Sequence, residues 1–246
     1  MSGQDCSAML LDAGPVVKLD GLGEVRSVRW GHPWQFDTPA YWVSQAEMFQ
    51  SVDNYRIGSN LAEEVAACIL GGYGLPALVG VRAFEAVRDA GLLNRNRSVT
   101  ALELERVLRA PLLIGDRRVR YRFPRQRAQR VAAALDRLRS EHPPAHGVQL
   151  RDWLLRLPGV GPKTASWIAR NHTGTDDVAI IDVHVLRAGQ RAGVFDPSWT
   201  AARDYSRCEA LFVAWARIGG VRTSVIDACI WSQLSRNGSI RPSSTA

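Results

Sequence analysis

The sequence predicts an all-α protein, because helical patterns follow one another from about residue 38 almost to its end. Apolar residues recur at spacings of three and four, polar capping residues stand at the starts of these segments, and glycine or proline separates them. The length of 246 residues suits one medium domain or two small lobes that share a core. We divide the chain into an N-terminal segment (1–37), a helical domain (38–240) and a tail (241–246).

The first helices are marked by their caps. Residues 15–30 alternate in part around a glycine turn, which predicts a short β-hairpin ahead of the helices. Thr38, followed by proline, opens the first helix, and Asn60 caps a second helix over 60–70. The glycine-rich turn 71–76 ends that second helix.

Further helices follow the same signals. A helical pattern resumes and ends at Gly91, and Thr100 with Glu103 forms a capping box at the start of the next helix. Two more helices are predicted near 201–217 and 222–235.

Composition restricts the class of protein. Hydrophobic residues make up 46% and charged residues 22%, which is typical of a globular chain. No apolar run of about 18 residues occurs, and the start lacks the features of a secretion signal. We therefore expect a monomeric cytoplasmic protein, not associated with a membrane.

The charge balance favours a polyanionic partner. There are 31 basic and 24 acidic side chains, a net charge of +7, although solubility charge alone is an equally good explanation of that number. Nine arginines and two aspartates lie within 116–139, where Pro124 separates an extended part from a helix. We interpret this stretch as a phosphate-facing surface that includes Arg125 and Arg127, with an ordinary solvated helix face as the alternative.

Lysine is rare in this chain. Only Lys18 and Lys163 are lysines, and the other 29 basic side chains are arginines. Arginine does not deprotonate in proteins, whereas lysine can act as an amine nucleophile. A lysine retained in such a background is therefore a candidate for chemistry that arginine cannot perform.

A hairpin of two helices is predicted over 150–171. The first helix is stopped by Pro158, and Gly159 and Gly161 permit a tight turn whose backbone has no Cβ to shield it. Pro162 suits the first turn of the second helix. Such a turn points free N–H groups outward and could position a phosphate, although it could also be an ordinary connection between helices.

The segment LPGVGPKTA, residues 157–165, resembles the helix-hairpin-helix of the HhH-GPD DNA glycosylase superfamily. A second motif, IIDVHV, places Asp182 nineteen residues after Lys163, where that superfamily carries an aspartate at the start of a helix. The resemblance covers about residues 38–235 and is greatest to the 8-oxoguanine DNA glycosylase/AP lyase branch in its short prokaryotic form. It implies two helical lobes with the hairpin at their junction.

The resemblance also implies a reaction in base excision repair. Lys163 would attack C1′ of a nucleotide carrying an oxidised purine, most simply 8-oxoguanine, and the resulting Schiff base would permit strand cleavage by β-elimination. Asp182 would stabilise positive charge on the sugar, and it could also be a plain helix cap. His184 would contact a phosphate, although a surface histidine with no such role is about as probable on the sequence alone.

The implied partner is double-stranded DNA with one damaged base flipped out. Hairpin residues Gly159, Val160 and Gly161 would contact its backbone. Tyr73 would fill the hole left in the duplex, unless it simply packs in its turn. The candidate base-pocket residues are Trp167, Trp231 and Gln233, and Trp167 could equally belong to the core.

No cofactor is required by this reaction. The four cysteines, Cys6, Cys68, Cys208 and Cys229, are not clustered, so no iron–sulfur cluster is implied, and Cys68 and Cys229 are expected to be buried thiols. The hairpin of this superfamily often holds a monovalent cation on backbone carbonyls, here near 157–162. The alternatives are excision of another modified base, a glycosylase that activates water, and a DNA-binding module without chemistry.

Overall fold

The structure is a computed structural model that describes residues 14–49, 56–72, 74–94 and 97–237. Within these residues the chain is mostly helical, with two small antiparallel strand pairs, which confirms the predicted fold class. The chain forms two compact units: unit 1 comprises residues 1–53 and 176–246, and unit 2 comprises residues 54–175.

Unit 1 contains both ends of the described chain. Its elements are β1 (Val16–Gly21), β2 (Glu24–Arg29), α1 (Pro39–Met48), α8 (Val183–Arg191), α9 (Tyr205–Ile218) and α10 (Thr223–Asn237). The predicted N-terminal β-hairpin is confirmed, with Leu19 paired to Arg26 in an antiparallel register. It packs against α9 and contributes Leu19 and Val28 to a core that contains Trp42, Phe212 and Trp215. The described part of the N-terminal segment thus belongs to this unit.

Unit 2 is the continuous middle of the chain. Its elements are α2 (Leu61–Leu70), α3 (Ala77–Asp89), α4 (Ala101–Arg109), β3 (Leu112–Ile114), β4 (Arg117–Val119), α5 (Pro124–Ser140), α6 (Gly147–Leu154) and α7 (Pro162–Thr173). The α2 helix lies centrally, in contact with α3, α5 and α7. The expected starts at Asn60, Thr100 and Pro124 are all observed.

Glycines allow α2 and α3 to approach closely. A Cβ built on Gly80 of α3 would lie 2.7 Å from the Cα atom of Gly71, which is closer than real Cβ contacts come. The buried Glu64 carboxylate closes the other end of α2 by accepting hydrogen bonds of 2.8 and 2.7 Å from the backbone N–H groups of Ile57 and Gly58. These contacts fix the walls of a cavity described below.

The strand pair β3–β4 was not predicted. Its turn contains Gly115 at φ +56° followed by Asp116, and only three residue pairs form the ladder. A glycine-aspartate turn between short alternating segments is a hairpin signal, but the arginines that follow it obscured the alternation. The extended part of the arginine-rich stretch is therefore half of a small hairpin.

None of the helices in the described residues is long and apolar enough to cross a lipid bilayer. The tail 241–246 lies outside the part of the chain that the structure describes.

The capping box at the start of α4 can be tested directly. Thr100 Oγ1 accepts from the Glu103 N–H at 3.3 Å, and the Glu103 carboxylate accepts from the Thr100 N–H at 2.8 Å. We expect Thr100→Ala to lower the free energy of unfolding by about 1 kcal/mol in urea denaturation, since an orphan N–H loses its acceptor. Thr100→Ser keeps the hydroxyl and should remain near the wild type; equal losses in both variants would contradict this role.

Candidate active site

The turn between α6 and α7 is anchored by two buried side chains. Leu157 and Val160 are 2% and 6% exposed, and the Val160 N–H donates to the Leu157 carbonyl at 3.2 Å. Gly159 lies between them at φ +86°, a conformation that glycine adopts without strain. The predicted helix-hairpin-helix is therefore present, and its turn is rigid at two points.

The outward side of the turn is open backbone. Gly159 and Gly161 are exposed, and their N–H groups donate no hydrogen bond to any described residue. Gly161 is the N-cap of α7, and a Cβ built on it would meet no atom within 4 Å. Two free N–H groups near a helix N-terminus form a site that favours anions.

The Glu141 side chain, at the C-terminal end of α5, connects that helix to the hairpin. The Glu141 carboxylate accepts from Trp153 Nε1 at 2.9 Å and from Arg137 Nε at 2.8 Å, and it pairs with Arg156 at 3.1 Å. The hydrogen bond from Arg137 is the main cause that holds the pKa of Glu141 below its ordinary value. This cluster fixes α6 and the turn to α5.

Lys163 lines a largely apolar cavity of about 480 Å³ inside unit 2. It stands in the first turn of α7, and it forms no ion pair with any carboxylate of unit 2 in the described residues. The other walls come from the end of α2 and from α3: Ile57, Ala67, Cys68, Gly71, Gly72, Ala77, Gly80, Val81 and Phe84. Lys163 is exposed and forms part of the wall of this cavity, among mostly apolar residues.

Trp167 lines the same cavity one turn after Lys163, as the helical spacing predicts. Its ring is half-buried, and its Nε1 is enclosed without an acceptor among the described residues. Buried indole N–H groups usually find a partner. Trp167 thus supplies an aromatic wall beside the amine.

Asp182 is the N-cap of α8 in unit 1. Its Oδ1 accepts from the N–H groups of His184 and Val185 at 2.8 Å each, and its Oδ2 accepts nothing from the described residues. The expectation of a capping aspartate is confirmed. One carboxylate oxygen is engaged by the helix and the other is available.

The segment that leads to Asp182 is fixed by buried polar side chains. Glu209 accepts from the Ala179 N–H at 3.2 Å, and Asp227 accepts from the Ile180 N–H at 3.2 Å. The Tyr205 hydroxyl donates to the Ala179 carbonyl at 2.9 Å. These bonds hold the extended backbone where α8 begins, and the sequence analysis did not identify them, because their partners lie far apart along the chain.

The other candidate residues of unit 1 lie on α8 and α10. His184 is half-buried in the first turn of α8, and Trp231 is 51% exposed. Gln233 Oε1 accepts from the Tyr41 hydroxyl at 3.4 Å, and its Nε2 donates to Gln45 Oε1 at 3.0 Å. The sequence analysis missed Tyr41 and Gln45, which sit on α1 and become neighbours of α10 only in the fold.

The arginine-rich stretch is divided by the start of α5. Arg125 is exposed, as predicted, but Arg127 is 9% exposed and its Nη1 donates to the Ile69 carbonyl at 2.8 Å. Arg127 is therefore not on the solvent-exposed face of this stretch, because the helix turns that residue toward α2, and its contact with DNA phosphate stays a prediction. Tyr73 lies outside the described residues.

The cysteines are largely enclosed. Cys208 and Cys229 are fully buried, and burial raises the pKa of the Cys208 thiol to about 12 and that of Cys229 to about 11. Cys68 lines the Lys163 cavity, and burial raises the pKa of its thiol well above the ordinary value. Among the described residues no group of three or more metal-ligating side chains occurs. Cys6 lies outside the described residues.

Comparison with known proteins identifies the family. Residues 43–221 match the family model described as 8-oxoguanine DNA glycosylase, with its helix-hairpin-helix. The 8-oxoguanine DNA glycosylase/AP lyase of Thermotoga petrophila is 32% identical over 124 residues, which is 47% of this chain and 58% of that protein. The chain thus matches less than two thirds of the length of this curated relative.

Two solved structures are similar over more of the chain. The 8-oxoguanine DNA glycosylase of Thermotoga maritima is 27% identical with a TM-score of 0.51, covering 71% of this chain and 79% of that one. The 8-oxoguanine glycosylase/lyase of Methanocaldococcus jannaschii, in complex with a 15mer DNA containing 8-oxoguanine, is 26% identical with a TM-score of 0.52, covering 82% and 91%.

The fold and the hairpin are those of a helix-hairpin-helix DNA glycosylase. The chain belongs to the 8-oxoguanine DNA glycosylase family.

The two hairpin glycines should respond differently to the same substitution. In Gly159→Ala the new Cβ would lie 2.5 Å from Arg130 Cδ and the backbone would be strained at φ +86°, so we expect a loss of at least about 1 kcal/mol in the free energy of unfolding. Gly161→Ala, at φ −92° with open space, should stay within about 0.5 kcal/mol of the wild type. Chemical denaturation of both variants tests this; equal stability would contradict the described turn.

Proposed function

We propose that this protein removes 8-oxoguanine from duplex DNA by attack of Lys163 on C1′ and then cleaves the strand as an AP lyase. The observation that carries the proposal is Lys163 itself, an exposed lysine at the start of the second hairpin helix that lines a largely apolar cavity. Family membership supports the same reading. The choice of lesion is supported by the similarity to 8-oxoguanine DNA glycosylase/AP lyases.

The reaction begins with an unprotonated lysine amine. The Nζ lone pair forms a bond to C1′ while the bond from C1′ to the base nitrogen breaks, and its electron pair leaves with the base, which takes up a proton. The amine then loses a proton, and its lone pair forms the second bond to C1′ while the bond from C1′ to the ring oxygen breaks. The ring oxygen takes up a proton, which leaves an open sugar joined to Lys163 as a protonated Schiff base. Loss of a proton from C2′ expels the 3′ phosphate, which breaks the strand.

Asp182 is proposed as the carboxylate that assists this attack. Positive charge develops on the sugar as the base departs, and a fixed anion stabilises that charge. Two backbone N–H groups hold its Oδ1, so the carboxylate is preorganised while Oδ2 stays available. A fixed orientation of this kind reduces the reorganisation that the reaction requires.

The flipped base is proposed to contact aromatic and amide side chains. Trp167 offers a ring face beside Lys163, and Trp231 offers an exposed ring on α10. The hydrogen bond from the Tyr41 hydroxyl orients the Gln233 amide, which makes it suited to read the edge of a base. Tyr73 remains the proposed residue for filling the hole in the duplex.

The DNA backbone is proposed to lie on the hairpin. The free N–H groups of Gly159 and Gly161 would bind a phosphate, with Val160 as the buried anchor between them, and His184 and Arg125 would contact neighbouring phosphates.

A monovalent cation is also proposed at this turn. The carbonyl oxygens of Pro158, Gly159 and Val160 accept no hydrogen bond from the described residues, so the turn fits such an ion. Its charge would add to the attraction for phosphate. We propose no iron–sulfur cluster, and we expect a monomer that acts in the cytoplasm on nucleoid DNA.

Lys163→Gln should abolish both base release and strand cleavage on a duplex that carries 8-oxoguanine. A glutamine amide cannot form a Schiff base with C1′, and a water molecule that attacks instead of the lysine cannot form one either. Borohydride should therefore trap no covalent adduct. Lys18→Gln is the matched control, because Lys18 is the only other lysine and is exposed on β1. Base release and nicking are measured on denaturing gels, with binding measured in parallel.

The pattern of loss distinguishes the alternatives. Base release that survives in Lys163→Gln would favour an enzyme that activates water. An adduct that requires Lys18 would exclude Lys163 as the nucleophile. Full activity on a different altered base, with none on 8-oxoguanine, would overturn the lesion and leave the chemistry intact.

Substitution of Asp182 can separate its charge from its cap. Asp182→Asn keeps an oxygen acceptor for the N–H groups of α8, so its stability should stay close to the wild type, whereas base release should fall about 100-fold or more. Asp182→Ala loses the cap as well and should unfold about 1 kcal/mol more easily. Single-turnover rates together with urea denaturation test this. Activity retained in Asp182→Asn would show that the aspartate only caps the helix.

A further inference from the structure

Two guanidinium groups line a second cavity in unit 2, with a volume of about 390 Å³. Arg127 and Arg130, one turn apart on α5, form one side of it. The cavity adjoins the Lys163 cavity, because Cys68, Gly71, Gly72 and Thr164 line both; its remaining lining residues are Phe123, Gln126 and Gly159. A group bound there would lie beside whatever Lys163 attacks.

The positive charge in this cavity is uncompensated. No carboxylate of the described part of unit 2 forms an ion pair with Arg127 or Arg130. Arg127 is more than nine-tenths buried, and while its Nη1 binds the Ile69 carbonyl, its Nε is enclosed and has no acceptor. Burial is the main cause that lowers the pKa of Arg127; interaction with Tyr121 raises this pKa, and the nearby charge of Arg130 lowers it.

The structural contacts of Arg127, with the Ile69 carbonyl and the Phe123 ring, leave its enclosed Nε without an acceptor. Replacing a buried charge by an apolar side chain of similar volume is often neutral or stabilising, because the desolvation of the charge is then avoided. Here two like charges line one cavity, and neither forms an ion pair with a carboxylate in the described part of unit 2. An anion would satisfy the free Nε and relieve the repulsion.

Arg130 is also matched to the hairpin turn. A Cβ built on Gly159 would lie 2.5 Å from Arg130 Cδ and 2.9 Å from Arg130 Nε. The Arg130 side chain therefore packs directly against the turn. The Gln126 amide and the Thr164 hydroxyl line the same cavity and can donate to an oxyanion. Cationic and neutral hydrogen-bond donors therefore surround one small cavity. Such a set of donors suits a tetrahedral phosphate.

We infer that Arg127 and Arg130 bind one phosphate group of the DNA strand, the internucleotide phosphate next to the sugar that Lys163 attacks. The inference rests on the proposed function, which identifies the bound strand as DNA. A DNA backbone phosphate and free inorganic phosphate present the same chemical group to the two arginines. Holding this phosphate fixes the register of the strand, so that a single sugar is presented to the lysine. Free phosphate is the other source that the experiment must distinguish.

The first measurement uses inorganic phosphate and no DNA. The melting temperature of the wild type should rise with phosphate concentration at constant ionic strength, and Arg130→Gln should lose most of that rise. Arg109→Gln is the control, because Arg109 is an exposed arginine paired with Glu105 and its loss changes the net charge equally. This arm does not depend on glycosylase activity.

The second measurement uses a duplex with a tetrahydrofuran abasic analogue, which lacks the base that the reaction expels. Single methylphosphonates placed along the strand neutralise one phosphate at a time. At one position next to the analogue, neutralisation should weaken binding of the wild type about tenfold or more, and Arg130→Gln should show little further loss there. In Arg109→Gln the full effect of that methylphosphonate should remain.

The outcomes are distinct. Equal phosphate stabilisation in the wild type and in both variants would overturn the site. Stabilisation that requires Arg130, with no methylphosphonate position coupled to it, would show a site for free phosphate and overturn the assignment to DNA. Coupling at one phosphate in a protein that excises no base would support the phosphate site while the proposed function fails.

Discussion

The burial of Leu157 and Val160 beneath the hairpin turn is the constraint on which the rest of unit 2 depends. These two side chains hold the turn from inside, so the glycines between and after them present backbone instead of side chain. The turn in turn fixes where α7 begins, and α7 carries Lys163 and Trp167 in successive turns. A loose turn would leave both residues free to move away from the cavity.

The chemistry of the protein is built on polar groups placed in two contrasting environments. Lys163 meets a chamber of mostly apolar walls, where an amine has few competing partners. Arg127 and Arg130 form one side of a smaller cavity, and neither forms an ion pair with a carboxylate in the described part of unit 2. The second environment favours capture of an anion. The two cavities share the walls formed by Cys68, Gly71, Gly72 and Thr164.

In unit 1, hydrogen bonds from buried side chains fix the position of the backbone that leads to Asp182. Tyr205, Glu209 and Asp227 bind the backbone N–H and carbonyl groups of the segment that ends at Asp182. Buried polar groups that are satisfied in this way make a local structure unique. The carboxylate of Asp182 is thereby held by the helix that it caps, and one of its oxygens is left available for a substrate.

The sequence by itself determined the helical class, the caps at Asn60 and Thr100 and the hairpin, because these depend on neighbouring residues and on the intrinsic preferences of glycine, proline and capping side chains. Only the tertiary structure decided which arginines face solvent and which face a cavity, and which glutamines meet. The direction of a side chain such as Arg127 is set by the helix packed against it, and packing between residues distant in sequence leaves no local pattern.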